Sequence, residues 1–107
     1  MHVSVLTRNV NLPDTVHKNL DRKIARMKKR LVHFNPDLIE ISIVVEQVRK
    51  TGEYRTTVNC RLPMRTLRVE ESESNETKSV NRAFDVLERQ LDKFLARLRH
   101  EDERARD

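Results

Sequence analysis

The side chains of this sequence that could do chemistry are mainly basic, and they concentrate in two segments. The 107-residue chain contains 22 Lys and Arg against 17 Asp and Glu, which gives a formal net charge of +5. Residues 14–32 hold seven basic and two acidic residues, and residues 76–99 hold six basic and four acidic residues. Cations gathered on one surface bind the phosphates of polyanions, so this composition favours nucleic-acid binding over covalent chemistry.

A helical projection places these cations opposite the apolar residues of each segment. The apolar stripes consist of Val16, Leu20, Ile24, Met27 and Leu31 in the first segment, and of Val80, Phe84, Leu87, Leu91, Phe94, Leu95 and Leu98 in the second. The opposite cations are Lys18, Arg22, Arg26 and Lys29 in the first segment, and Arg82, Arg89 and Lys93 in the second, with Arg97 at their edge. Val86 falls on the same exposed face of the second segment, and the acidic residues fall to its sides.

Two helices packed side by side would turn both basic faces toward the same solvent side. Such a surface binds phosphate backbones and positions a protein without reading bases. The alternative is that the charges only keep the helices soluble. The clustering of positive charges on one face favours the polyanion-binding interpretation.

The periodicity of apolar residues predicts the elements that must position these cations. In chain order the predicted elements are a strand at 2–8, a helix that starts at 11–14 and runs to 31, strands at 38–48, 54–62 and 66–70, and a helix at 76–99. Asn11 is expected to cap the first helix, and residues 71–75 are expected to form a polar connection. The predicted fold is α+β with the order β-α-β-β-β-α, a four-stranded sheet with two helices packed on one face.

Length, cysteine count and hydropathy limit the class of protein. The length suits one domain, residues 1–99, and the charged tail at 100–107 has nothing to bury and is expected to fray. A single cysteine, Cys60, excludes an intrachain disulfide and fits a reducing compartment. Neither a signal-peptide pattern nor a membrane-spanning apolar run is present, so we expect a cytoplasmic protein with no membrane partner.

The residue types used in catalysis do not form a pattern. The four histidines, at positions 2, 17, 33 and 100, show no metal-ligand spacing, and Gly52 stands alone, so no glycine-rich phosphate loop exists. Cys60 lies on the inward face of a predicted strand and is interpreted as a core residue. We therefore predict that the protein is not an enzyme and uses no metal, cofactor or small-molecule substrate.

Several runs of residues resemble one protein family along nearly the whole chain, from about residue 1 to residue 99. The runs are Thr7-Arg8-Asn9-Val10, Asn11-Leu12-Pro13-Asp14-Thr15-Val16, Leu20-Asp21-Arg22-Lys23-Ile24-Ala25-Arg26-Met27, Val45-Glu46-Gln47-Val48-Arg49-Lys50 and Ala83-Phe84-Asp85-Val86-Leu87-Glu88-Arg89-Gln90-Leu91. In their order and spacing they resemble the short ribosome hibernation-promoting factors and ribosome-associated inhibitors of the sigma-54 modulation protein family. The most specific run is Leu-Glu-Arg-Gln-Leu.

The resemblance implies a ribosome-binding domain that docks in the mRNA and tRNA channel of the small ribosomal subunit. It implies contacts with ribosomal RNA and ribosomal proteins, and inhibition of translation in resting or stressed cells. By matching position, the residues that would contact RNA are Arg22, Lys23, Arg26 and Lys29 in the first helix and Arg82, Arg89 and Lys93 in the second. The chain departs from the family at Val86, where Lys is usual, and at Asp92, where a basic residue is common.

Two other functions remain open from the sequence. A general double-stranded RNA-binding domain has a similar helix-and-sheet build, but it needs a basic helix N-terminus and loop. A protein-interaction regulator without an RNA role could use the outer face of the sheet, where Arg55, Arg61 and Arg68 are expected.

Overall fold

Four strands and two long helices follow one another in the predicted order. The computed structural model describes the backbone of residues 1–106 and the side chains of residues 1–100. The elements are β1 (His2–Arg8), α1 (Asp14–Arg30), a 3-10 turn (Pro36–Leu38), β2 (Glu40–Gln47), β3 (Tyr54–Arg61), β4 (Thr66–Glu73) and α2 (Glu76–Arg106). The predicted α+β fold and its β-α-β-β-β-α order are confirmed.

The sheet has the strand order β1-β2-β3-β4, with β1 parallel to β2 and the other neighbours antiparallel. Parallel neighbours need a crossover connection, and α1 supplies it. Along β2, Ile41, Ile43 and Val45 are buried and the alternate positions are partly exposed. The sheet therefore has one apolar face, and the apolar stripes of α1 and α2 join it in a single core.

Aliphatic and phenylalanine side chains fill this core. Phe84, Leu20, Leu87 and Leu91 are almost completely buried, and burial of each such side chain contributes about 1.5–3 kcal/mol. A buried hydrogen bond of 2.8 Å joins the hydroxyl groups of Thr56 and Ser79, so β3 and α2 are also tied by a satisfied polar pair.

Cys60 is a core residue, as the sequence predicts. Its side chain is buried on β3, and burial raises the pKa of the Cys60 thiol to about 11. The thiol therefore stays protonated at neutral pH, which is the unreactive form of a cysteine.

The capping of the first helix differs from the prediction, and the second helix has a side-chain cap for which no prediction was made. The N-cap of α1 is Pro13, whose carbonyl accepts hydrogen bonds from the N–H groups of Val16 and His17, and no side chain caps the helix. The predicted Asn11 cap is wrong, because Asn11 lies outside the turn that closes the helix. At α2, the Asn75 side-chain oxygen accepts a 2.8 Å hydrogen bond from the Lys78 N–H.

The last strand and the tail also differ from the prediction. β4 runs to Glu73 rather than ending at residue 70, because residues 71–73 pair with residues 54–56 of β3. α2 continues as far as Arg106. The side chains after residue 100 lie outside the described residues, so a frayed tail at 100–107 stays a prediction.

The two asparagines at the helix starts provide a matched test of the capping assignment. Replacing Asn75 by Ala removes a side-chain cap and should lower the free energy of unfolding by about 1 kcal/mol. Replacing Asn11 by Ala should leave the free energy of unfolding, measured by urea denaturation, unchanged within experimental error. Equal destabilisation by the two substitutions would contradict the assignment.

Candidate nucleic-acid interface

The two helices lie side by side and run in the same direction, which three side-chain pairs establish. The Asn19 Nδ2 donates a 3.0 Å hydrogen bond to the Asn81 Oδ1, and the Arg26 Nη2 lies 3.1 Å from the Glu88 Oε2. One turn further along, Arg30 forms an ion pair with Asp92. Each pair joins residues that are 62 positions apart, so the helices are parallel and in register. Their outer faces therefore form one continuous surface.

The predicted cations lie mostly on this outer surface, which we call the helix face. Eight of the nine predicted side chains are exposed, and they are Lys18, Arg22, Arg26, Lys29, Arg82, Arg89, Lys93 and Arg97. Lys23, which the family resemblance added to the projection, is half-buried. Among residues 1–100, no carboxylate lies within ion-pair distance of Lys18, Arg22 or Lys29 on α1, or of Arg89 on α2. These four cations can thus donate hydrogen bonds to phosphate oxygens without first leaving a carboxylate of residues 1–100.

Two predicted cations are paired with carboxylates. Arg26 contacts Glu88, and Arg82 reaches β4, where its Nε and Nη1 lie 3.1 Å from carboxylate oxygens of Glu71 and Glu73. The arginine side chains remain 58% and 59% exposed, and ion pairs at such exposure contribute about 0–1 kcal/mol. Water and salt screen these contacts, so either arginine can exchange its carboxylate for a phosphate at little cost.

Two of the positions at which the chain departs from the family pattern make packing or ion-pair contacts. Val86 is half-buried and packs against the core, so it is less exposed than the projection predicts. It still lines an open cleft with Arg82 and Arg89, so it leaves an uncharged position beside these cations of the helix face. Asp92 forms an ion pair with Arg30 at the contact between the helices.

The outer face of the sheet has a different charge arrangement. Arg55 lies 3.4 Å from Glu46 and 3.3 Å from Glu70, and Arg61 lies 3.5 Å from Glu40. Arg68 also contacts Glu70, at 3.3 Å. Each of these arginines has a carboxylate on a paired or nearby position of the same face. The sheet face neutralises its own cations, whereas the helix face carries cations with no such partner.

A second cationic surface was not predicted. An open groove of about 390 Å³ lies between β4 and the C-terminal half of α2. Its lining brings Arg65, from the turn before β4, close to Lys93 and Arg97. The sequence does contain a signal, because Arg61, Arg65 and Arg68 flank one short turn, but strand periodicity alone could not place that turn beside α2.

The described residues contain neither a candidate metal centre nor a candidate membrane span. Among the side chains of residues 1–100, His, Cys, Asp and Glu do not gather in a group of three or more that could hold a metal ion. Over the described backbone, no helix combines the length and the apolar composition that crossing a membrane requires.

Solved structures that share this fold include one from Thermus thermophilus and one from Coxiella burnetii. The N-terminal domain of Protein Y from Thermus thermophilus is similar with a TM-score of 0.69 and 24% identity, covering 88% of this chain and 99% of that one. A ribosomal subunit interface protein from Coxiella burnetii is similar with a TM-score of 0.70 and 22% identity, covering 90% of this chain and 99% of that one. No curated protein matches the sequence.

A family comparison covers most of the chain. The family model described as "Sigma 54 modulation protein / S30EA ribosomal protein" matches residues 3–99. This match confirms the resemblance expected from the sequence motifs. The chain therefore belongs to the sigma-54 modulation protein and S30EA ribosomal protein family, a family of ribosome-associated factors rather than a known class of enzymes.

Proposed function

We propose that this protein is a ribosome hibernation factor. It binds the small ribosomal subunit in the mRNA and tRNA channel through the helix face, contacts ribosomal RNA and ribosomal proteins there, and inhibits translation in resting or stressed cells. Its place of action is the cytoplasm, where ribosomes work.

The observation that carries the proposal is the charge arrangement of the two parallel helices. The contacts between α1 and α2 place the carboxylates of Glu88 and Asp92 against α1. The outer cations of both helices, among them Arg22, Lys29 and Arg89, are left to solvent. A flat cationic surface on a rigid core suits the phosphates of folded RNA, which proteins recognise by shape and backbone.

The choice of the ribosome over other RNA rests on family membership, and one structural feature supports it against a general duplex binder. A duplex-binding module presents a basic helix N-terminus to phosphates. Here the first turns of α1 and α2 carry Asp14 and Glu76. These carboxylates interact favourably with the positive end of the helix dipole but repel phosphates. Lys18 and Lys78 lie near the helix starts, but most of the cations lie further along the helices.

Removing two cations from the helix face should weaken binding to the small subunit. In the variant Arg22→Gln/Lys29→Gln, both changed side chains are exposed, so the fold should be unaffected. Affinity falls as the salt concentration rises. Loss of two phosphate contacts should make this dependence less steep, reducing the magnitude of the slope of log affinity against log salt by roughly 1–2. Co-sedimentation with purified small subunits over a range of salt concentrations measures this slope.

The matched control for this variant is Arg55→Gln/Arg61→Gln, which removes the same charge from the sheet face, where both arginines pair with glutamates. It should sediment like the wild type and inhibit cell-free translation equally. Equal loss in both variants would indicate a net-charge effect and contradict a specific helix face. Undiminished binding after mRNA and tRNA occupy the subunit would contradict docking in the channel.

The ion pair between the helices gives a prediction in the opposite direction. Replacing Glu88 by Gln frees Arg26 from its carboxylate and should tighten binding to the small subunit by a few-fold, because one more cation becomes available. Glu40→Gln removes the partner of Arg61 on the sheet face and should leave the affinity unchanged. Weaker binding of Glu88→Gln would mean that Glu88 positions Arg26 rather than competing for it.

A further inference from the structure

The groove between β4 and α2 is lined by cations and lacks lining carboxylates. Its lining residues are Arg65, Thr66, Leu67, Arg68, Gln90, Lys93, Phe94 and Arg97. Gln90, Lys93 and Arg97 lie at i, i+3 and i+7 on α2, on the flank turned away from α1. β4 is an edge strand, so the side of the groove that it forms is open to solvent.

The two ends of the β4–α2 junction differ in charge. Near the start of α2, Glu71 and Glu73 on β4 face Arg82, and the charges cancel. Toward the other end, the turn before β4 presents Arg65 to the cations of α2. Like charges at short distance repel one another, so a bound anion would relieve the repulsion at this end of the junction.

Few carboxylates compensate the cations of the groove. Among residues 1–100, Arg68 has one ion pair, with Glu70 at 3.3 Å, and this contact lies on the outer face of the sheet. Arg65, Lys93 and Arg97 have no carboxylate of residues 1–100 within ion-pair distance.

The floor of the groove is fixed by core packing. Leu67 is buried, and the Phe94 ring is stacked on Phe34 with 6.5 Å between ring centroids. Thr66 and Gln90 add neutral hydrogen-bonding groups beside the cations. Guanidinium groups offer paired donors that match phosphate oxygens, so two arginines and a lysine over a rigid floor suit a phosphodiester.

We propose that this groove binds backbone phosphates of a single RNA strand. The proposal rests on the proposed function, since Lys93 belongs both to the helix face and to the groove lining. The RNA-binding surface then turns around α2 and ends on the edge of β4. Arg65, which lies outside the helices, becomes an RNA-contacting residue.

Inorganic pyrophosphate, which presents two linked phosphates, is the direct probe. In ¹H–¹⁵N NMR titrations of the wild type, saturable shifts should be confined to residues 65–68 and 90–97. Arg65→Gln should raise the Kd for pyrophosphate roughly tenfold. Arg61→Gln, with the same loss of charge on the sheet face, should leave the Kd unchanged. Shifts spread evenly over α1 and α2, or equal weakening in both variants, would overturn the proposal.

Small-subunit co-sedimentation of the same variants separates this proposal from the proposed function. Weaker sedimentation of Arg65→Gln than of the Arg61→Gln control supports RNA strand binding in the groove. Sedimentation equal to wild type overturns the groove as an RNA contact and leaves the helix face intact as the docking surface. If the wild type does not sediment, the ribosome proposal fails. A short single-stranded RNA then tests the groove alone, and equal affinity of wild type and variant for it overturns the proposal.

Discussion

The rest of the structure depends on the burial of one apolar sheet face. The strands place isoleucine and valine side chains on the same side, and water must be excluded from them. Two helices are needed to cover four strands, and both must turn their apolar stripes inward. Because each stripe faces the sheet, the polar half of each helix has to face solvent. The cationic helix face is therefore a direct result of how the core is closed.

The position of carboxylates then decides which cations can act. On the sheet face, glutamates sit opposite arginines in paired strands and neutralise them. Between the helices, Glu88 and Asp92 hold Arg26 and Arg30 and so align α1 with α2. These exposed or half-exposed ion pairs add little stability by themselves. Their main effect is on the distribution of positive charge, which becomes concentrated on the outer side of the helices.

Binding to ribosomal RNA through such a surface would be governed by phosphate contacts rather than by base recognition. Affinity of this kind depends on the number of cations that reach phosphates at the same time. The groove beside β4 adds Arg65, a cation from the turn before β4, and the buried Leu67 and Phe94 join β4 to α2 beneath it. A surface that continues around α2 would contact a curved or folded RNA more fully than two parallel helices alone.

The sequence by itself determined the element order, the apolar stripes, the burial of Cys60 and most of the exposed cations, because periodicities of two and 3.6 residues report directly which side of an element is buried. It did not determine the helix caps. Capping depends on the local geometry of a turn, and Pro13 and Asn75 occupy positions that the residue types alone left open.

Only the tertiary structure decided which cations are paired and which surfaces meet. A projection treats α2 as if all of its flanks were equivalent, so it could not foresee that Val86 would be half-buried or that Asp92 would meet Arg30. The contact between α1 and α2 joins residues 62 positions apart, and the turn at Arg65 approaches α2 only because the sheet brings it there. Such contacts depend on strand order and helix placement, which are set by the packing of the whole core and not by any local pattern.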